Sequence, residues 1–344
     1  MSSRATEAIE EREEKASPPP APAFERTGPG VASSRDPGAA PRLEPGHLDA
    51  LWFQVTGTVC NIECTHCFIS CSPRNRSFDY LTVEDVRRRL MEAETLGVRE
   101  FYFTGGEPFI HPDIVTILSA ALAHGPTTVL TNGMVVKPGH VDALAEAAAG
   151  SPYSLEFRVS IDGFDAESHD AIRGAGSFEK AIRGLGLLLE GGFLPIVTAV
   201  RTWDWGEEPD VYRGFVEMLR SLGYRNPRIK LMPALKIGAE AERSEGYRPY
   251  ERVTHAMLED YDLDQLICSS ARVVTDRGIW VCPILLEAED GNLGEDLTTA
   301  ADTPFRLAHE ACYTCWEYGA ICSNPGVAAP EDARRSEPAG GPGG

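Results

Sequence analysis

The sequence predicts an α/β architecture built on a parallel sheet, and three observations predict it. Short apolar runs rich in β-branched and aromatic residues alternate with longer stretches of helical periodicity, six times between about residues 50 and 235. The residues capable of chemistry cluster just after those apolar runs, where an α/β fold gathers its site at the C-terminal ends of the strands. The chain has 344 residues, 42% hydrophobic and 24% charged, enough for one large domain plus a small module. Right-handed crossovers then either curl the sheet toward a barrel or wind helices on both of its faces.

The elements follow in order. LWFQVT (51–56) reads as the first strand, and Thr82 opens a helix with Asp85 three residues on, a capping-box pattern. EFYFTG is the second strand and HPDIVTILSAALAHG the helix after it. TTVLTNG, SLEFRVSID, LPIVTAV and RIKLMPA supply four more strands. Phe178, Ile182, Leu185 and Leu189 show the helical spacing of an intervening element. Beyond residue 248 the pattern changes: PYERVTHAMLEDY reads as a helix and ARVVTDRGIWVC as a hairpin turning at Asp276-Arg277-Gly278. A loop-rich segment follows. Residues 1–46 and 326–344, rich in Pro, Ala, Gly and Ser, read as disordered tails around a main domain (47–247) and a C-terminal module (248–325).

Composition narrows the function. Acidic residues outnumber basic ones 52 to 32, a formal charge of −20 without clustered Lys or Arg, which argues against nucleic acid as a partner. No run approaches the ~20 apolar residues of a membrane span, and the N-terminus carries no secretory h-region, so a cytoplasmic location without membrane attachment is expected. In that compartment nine cysteines read as metal ligands or catalytic thiols before disulfides. Four lie between Cys60 and Cys71 and five between Cys268 and Cys322.

Cys60-x3-Cys64-x2-Cys67 follows the first strand and can wrap three sulfurs around one metal centre. A structural zinc site would want a fourth ligand, a place Cys71 can fill better than His66. Three thiolates on a [4Fe–4S] cluster would instead leave one iron open to a small molecule. Thr104-Gly105-Gly106-Glu107-Pro108 after the second strand, Thr131-Asn132-Gly133 after the third, Ser160 and Asp162-Gly163 on the fourth and Met232-Pro233 on the sixth fall on the same rim.

These motifs together resemble the radical S-adenosylmethionine (radical SAM) superfamily, over about residues 51–240. The carriers are CxxxCxxC with His66 before the last Cys, TGGEP at 104–108, VSIDG ending at Gly163 with HDAIRG (169–174), and IKLMPALKIG. The resemblance implies a partial (β/α)6 TIM-type barrel. It also implies a SAM-binding [4Fe–4S] cluster on Cys60, Cys64 and Cys67, and an external electron donor such as flavodoxin or ferredoxin. An electron from the cluster cleaves S-adenosyl-L-methionine to a 5′-deoxyadenosyl radical that abstracts hydrogen from a substrate C–H bond. Carried over residue by residue, Gly105, Gly106 and Glu107 would hold the methionine end, Ser160 its carboxylate region, and Met232 the adenine through its backbone. Asn132 and Asp162 would be ribose-binding or structural residues.

Cys268, Gly278, Cys282 and the pair Cys312-x2-Cys315 resemble the twitch module, a shortened SPASM domain holding one auxiliary [4Fe–4S] cluster. Here three residues rather than the usual four separate Gly278 from Cys282. A zinc ribbon fits the spacing alone. Cys322 is surplus or replaces an assigned ligand, and Cys71 reads as a bystander. Within the family, GTP cyclisation is disfavoured, because Tyr102, TAVRT and GGPGG stand where the cyclase carries nucleotide-binding Arg and Lys. The expected reaction is oxidation or epimerisation of a small polar molecule by a radical SAM oxidoreductase. Modification of a ribosomal peptide or protein side chain is the alternative, and a non-catalytic cluster or zinc scaffold the third. No acid–base residue is identified. Arg201, Trp203, Asp204 and Trp205 either shape the pocket or form a surface loop, while Glu287, Glu289 and Asp290 read as a solvated loop.

Overall fold

The computed structural model describes residues 40–319 and 321–322. The chain enters through a two-residue strand, β1 (Arg42–Leu43). It then lays six strands side by side, each parallel to the next: β2 (Ala50–Gln54), β3 (Glu100–Thr104), β4 (Thr127–Thr131), β5 (Leu155–Ser160), β6 (Ile196–Val200) and β7 (Arg228–Met232). The connections carry α1 (Val83–Thr95), α2 (Ile114–Ala121), α3 (Pro138–Ala149), the pair α4 (Ala166–Arg173) and α5 (Ser177–Glu190), and α6 (Glu208–Ser221). This is a partial TIM-type barrel, and its outermost strand β7 pairs only with β6 among the described residues.

Strand alternation makes the barrel two-faced. Leu51, Phe53, Phe101, Phe103, Val129, Phe157, Val159, Val197 and Ala199 point outward into a core shared with the helices, against Leu90, Ile117, Leu118, Leu185, Leu188 and Phe215. Burial of each Val, Leu, Ile or Phe among them contributes about 1.5–3 kcal/mol. The intervening residues, among them Trp52, Gln54, Leu130, Arg158, Ser160, Thr198 and Met232, line the lumen. The expected capping box holds α1: Thr82 Oγ1 accepts from the Asp85 backbone N–H at 3.1 Å, and Asp85 Oδ2 accepts from that of Thr82 at 3.2 Å.

After β7 come α7 (Ala239–Ser244), α8 (His255–Leu258), the hairpin β8 (Ala271–Thr275) and β9 (Gly278–Trp280), α9 (Leu297–Asp302), β10 (Phe305–Arg306) and α10 (Ala311–Tyr318). The hairpin adds to the barrel sheet: β8 pairs parallel with β2, Ala50 opposite Ala271 through Phe53 opposite Val274. Arg272, 1% exposed, ties this region together by donating to the carbonyls of Cys268, Ala271, Ala300, Ala301 and Thr303 at 2.7–3.2 Å.

Three sequence expectations change. The helix read over PYERVTHAMLEDY shrinks to the single turn α8, which has no side-chain cap and too few residues to sustain itself. The loop-rich segment contains α10, which sets Cys312 and Cys315 one turn apart. Arg42–Leu43, assigned to a tail, pairs antiparallel with Arg306 and Phe305. The rest of that tail up to residue 39, and residues 323–344, lie outside the described residues. Among the described residues no helix is long and apolar enough to cross a membrane.

Candidate functional site

The loop after β2 is shaped by backbone bonds before any cofactor is considered. Cys60 N–H donates to the Ser72 carbonyl at 3.1 Å, Thr65 N–H to Ile172 at 3.0 Å and Cys67 N–H to Cys64 at 3.2 Å. The GGEP segment presses directly on this loop: a Cβ on Gly106 would stand 1.9 Å from the Val59 carbonyl oxygen, so only glycine fits. Gly238, at φ +58°, closes the other side, where a Cβ would meet the Phe68 carbonyl oxygen at 2.5 Å.

Between these walls lies a cavity of about 210 Å³. Cys60, Cys64, Cys67 and Cys71 line it together with Gly105, Gly106, Asn132, Ser160 and Met232. Eight of the residues carried over from the motifs thus share one space, contributed by the loops or ends of β2, β3, β4, β5 and β7. Asn132 Nδ2 donates to Asn61 Oδ1 at 2.8 Å and reaches to 3.8 Å from Cys60 Sγ. The Met232 carbonyl accepts from the Arg201 N–H at 2.8 Å.

Glu107 and Asp162 do not line this cavity, and of the two roles expected for Asp162, ribose-binding or structural, its bonds are those of the structural one. The Glu107 carboxylate is buried behind the wall and saturated by its neighbours: Oε1 accepts from the Phe109 N–H at 2.9 Å and Thr131 Oγ1 at 2.7 Å, and Oε2 from the Asn132 N–H at 2.7 Å. Burial pushes its carboxyl up, against the pull of these donors. Asp162 Oδ2 accepts from Arg173 Nε at 2.5 Å and pairs with His66 Nε2 at 2.6 Å, while Oδ1 accepts from the Val200 N–H at 2.8 Å. Burial would raise the Asp162 carboxyl, but the Arg173 guanidinium and then His66 hold it well below the usual carboxylate range. Arg173 also brings Nη1 to 4.0 Å from Cys64 Sγ. The pair therefore fastens α4 to the cysteine loop. Arg173 lies inside the quoted HDAIRG run but was given no role. Gly238 closes the IKLMPALKIG run, likewise without an assigned role, and Asn61 carried no signal beyond its neighbours.

The thiols sit in a desolvated wall. Burial pushes Cys60 up to about 12 and Cys64 up to about 11, the latter against the Arg173 charge. Cys67 moves down to about 6, chiefly through a hydrogen bond from Cys71, whose own thiol is driven up. Such thiols become ligands when a metal supplies the compensating charge. Among the described residues no three His, Cys, Asp or Glu groups converge tightly enough to hold one ion; the sulfurs surround a space.

The second group of cysteines comes together in the same manner. Cys268, Cys282, Cys312 and Cys315 line a single small cavity whose remaining walls are apolar, including Leu266, Ile284, Leu285, Phe305 and Leu307. Burial raises all four thiols, Cys268 to about 12 and Cys282 to about 11. Cys322 lines the larger cavity instead.

The family model described as the radical SAM superfamily matches residues 55–210, the stretch that builds the cysteine loop, the GGEP wall and β5. This stretch belongs to the radical SAM superfamily. Mycofactocin maturase MftC of Mycobacterium tuberculosis is 33% identical over 142 residues, 41% of this chain and 34% of the maturase. The chain therefore aligns with about a third of that relative's length. A "Probable GTP 3',8-cyclase" of Pyrobaculum aerophilum is 31% identical over 208 residues, 60% of this chain and 64% of that protein. In fold, this radical SAM chain resembles Streptococcus suis SuiB, solved bound to the precursor peptide SuiA, with a TM-score of 0.57 at 16% identity over 75% of this chain and 65% of that one.

Proposed function

We propose that this radical SAM enzyme holds a [4Fe–4S] cluster on Cys60, Cys64 and Cys67 and S-adenosylmethionine across Gly105, Gly106, Asn132, Ser160 and Met232. The observation that carries the reading is that these residues, from five strand ends, line one cavity. When bound, the cluster supplies an electron that cleaves S-adenosylmethionine to methionine and a 5′-deoxyadenosyl radical. The chain's own residues position and exclude. Glu107 holds the Thr131 hydroxyl and the Asn132 backbone N–H, so that Asn132 faces the cavity. The Asp162–Arg173–His66 cluster holds the cysteine loop against β5. The apolar walls Ile62, Phe68, Leu130, Val200 and Leu235 keep water from a reactive intermediate.

Cys268, Cys282, Cys312 and Cys315 would hold an auxiliary [4Fe–4S] cluster in a twitch-type module over residues 248–325. Four thiols in one apolar pocket support this reading. The overall reaction would be oxidation or epimerisation of a small polar molecule by hydrogen abstraction, with the auxiliary cluster able to accept the electron left on an oxidised substrate. Modification of a peptide side chain is the second reading, and the match to a peptide maturase favours it. That match covers 41% of this chain, and a cyclase matches 60% of it, so the likeness speaks for the radical chemistry more than for the substrate.

The experiment is anaerobic reconstitution followed by iron and sulfide counting and detection of 5′-deoxyadenosine under reductant. About four irons per cluster predict about eight per chain. Zinc in place of iron, or no nucleoside product, would overturn the proposal.

A further inference from the structure

Below the rim the lumen contains an arginine with two of its three nitrogens idle. Arg158, in β5, is 2% exposed and two residues deeper than Ser160, about 7 Å at the strand rise. Its Nη1 donates to the Cys322 carbonyl at 2.5 Å, and the guanidinium lies 5.2 Å from the Tyr102 ring centroid. Nε and Nη2 are buried and have no hydrogen-bond partner among the described residues. Glu156 Oε1 stands 3.9 Å from Nε, beyond hydrogen-bond reach, and Glu156 gives Oε2 to Arg228 Nη2 at 2.6 Å.

The two idle nitrogens form one edge of the planar guanidinium, the edge whose parallel N–H bonds match the two oxygens of a carboxylate. The surroundings are built to the same end. Trp52 Nε1, a donor, and Gln54 Oε1, an acceptor, are likewise buried, unpartnered and on residues lining the cavity. Lys230, paired in register with Thr198 on the neighbouring strand, adds a second cation, which burial and then the Arg158 charge press down to about 8. Glu100 and Glu156 stand near enough to Arg158 to offset part of this charge without supplying a hydrogen bond to its idle edge.

We propose that Arg158 seats a carboxylate of the substrate, side-on through Nε and Nη2 with Trp52 beside it. This fixes which C–H bond is presented to the rim above. The inference rests on the reading that the lumen receives the substrate of a radical enzyme, and it narrows that substrate to a carboxylic acid. A tetrahedral phosphate dianion would need more donors than this edge and the indole N–H supply.

The test uses the reconstituted full chain with saturating S-adenosylmethionine and succinate as probe, read by saturation-transfer NMR. Its neutral diamide and inorganic phosphate, the latter read by ³¹P line broadening, serve as comparison arms. Succinate is expected to bind and the diamide not to. Arg158→Gln should weaken succinate at least tenfold, Arg158→Lys less, and Trp52→Phe, which keeps the ring stacked on Tyr102, a few-fold. Iron content and the circular dichroism of each variant report folding. Equal binding of succinate and diamide, unchanged binding in Arg158→Gln, tighter binding of phosphate, or loss of the succinate signal on adding S-adenosylmethionine would each overturn the assignment. Absence of iron from the wild type would instead defeat the cluster reading, and the succinate titration of that same protein would still decide the seat.

Discussion

Glu107→Gln separates a brace from a ligand. The wild-type carboxylate accepts three hydrogen bonds at 2.7–2.9 Å in a fully buried place. The amide keeps one acceptor oxygen, which satisfies Phe109 N–H and Thr131 Oγ1, and turns an NH2 group toward the Asn132 N–H. One charge-assisted bond of about 1.5–3 kcal/mol is lost and a buried donor is left facing another donor, for a total of about 3 kcal/mol. At roughly 2–4 °C per kcal/mol for a domain of this size, thermal unfolding followed by circular dichroism should shift down by about 6–12 °C. Affinity for S-adenosylmethionine, measured by equilibrium dialysis on the reconstituted protein, should fall only in step with displacement of Asn132. An unchanged Tm with lost affinity would refute the argument and return Glu107 to the cofactor.

Asp162→Asn leaves Arg173 buried and unpaired and should cost about 3–5 kcal/mol at neutral pH. Because the folded-state carboxyl is depressed, its contribution is complete above the unfolded pKa of about 3.9 and is lost as pH falls through the folded value. The Tm gap between wild type and variant should therefore be widest near neutrality and narrow in acid. Cys312→Ala should lower the iron count by about four per chain while Cys60, Cys64 and Cys67 keep theirs; loss of all iron would contradict two separate sites. Gly106→Ala drives a Cβ into the Val59 carbonyl and should abolish cluster loading, judged by iron and visible absorbance, even where the chain stays soluble. Arg272→Met removes five bonds to buried carbonyls and should destabilise the chain strongly in a urea titration.

Much of the barrel was legible because strand alternation and helical spacing are local patterns. The cysteines and GGEP stood out because backbone-hugging glycines and clustered thiols are rare without a cause. The destinations of carboxylates were not legible. Glu107 and Asp162 sit within the right motifs, yet neighbours far along the chain consume them, Thr131 and Asn132 in one case and His66 and Arg173 in the other. α10 escaped notice because its eight residues are too short and too evenly apolar to show a face. Arg158 left a readable trace, a charged residue at an inward position of SLEFRVSID, but only the curled sheet reveals that inward means a buried lumen.

The pairing of β8 with β2 sets a spacing. Cys60 follows the end of β2, whereas Cys268 precedes β8 and Cys282 follows the returning β9, so the two thiol pockets lie toward opposite ends of one hydrogen-bonded ladder. The four steps between its five residues, at ~3.3 Å each, give that ladder a length on the order of 13 Å. The interval between the two pockets is thereby ruled by paired strands, as rigid as the sheet itself.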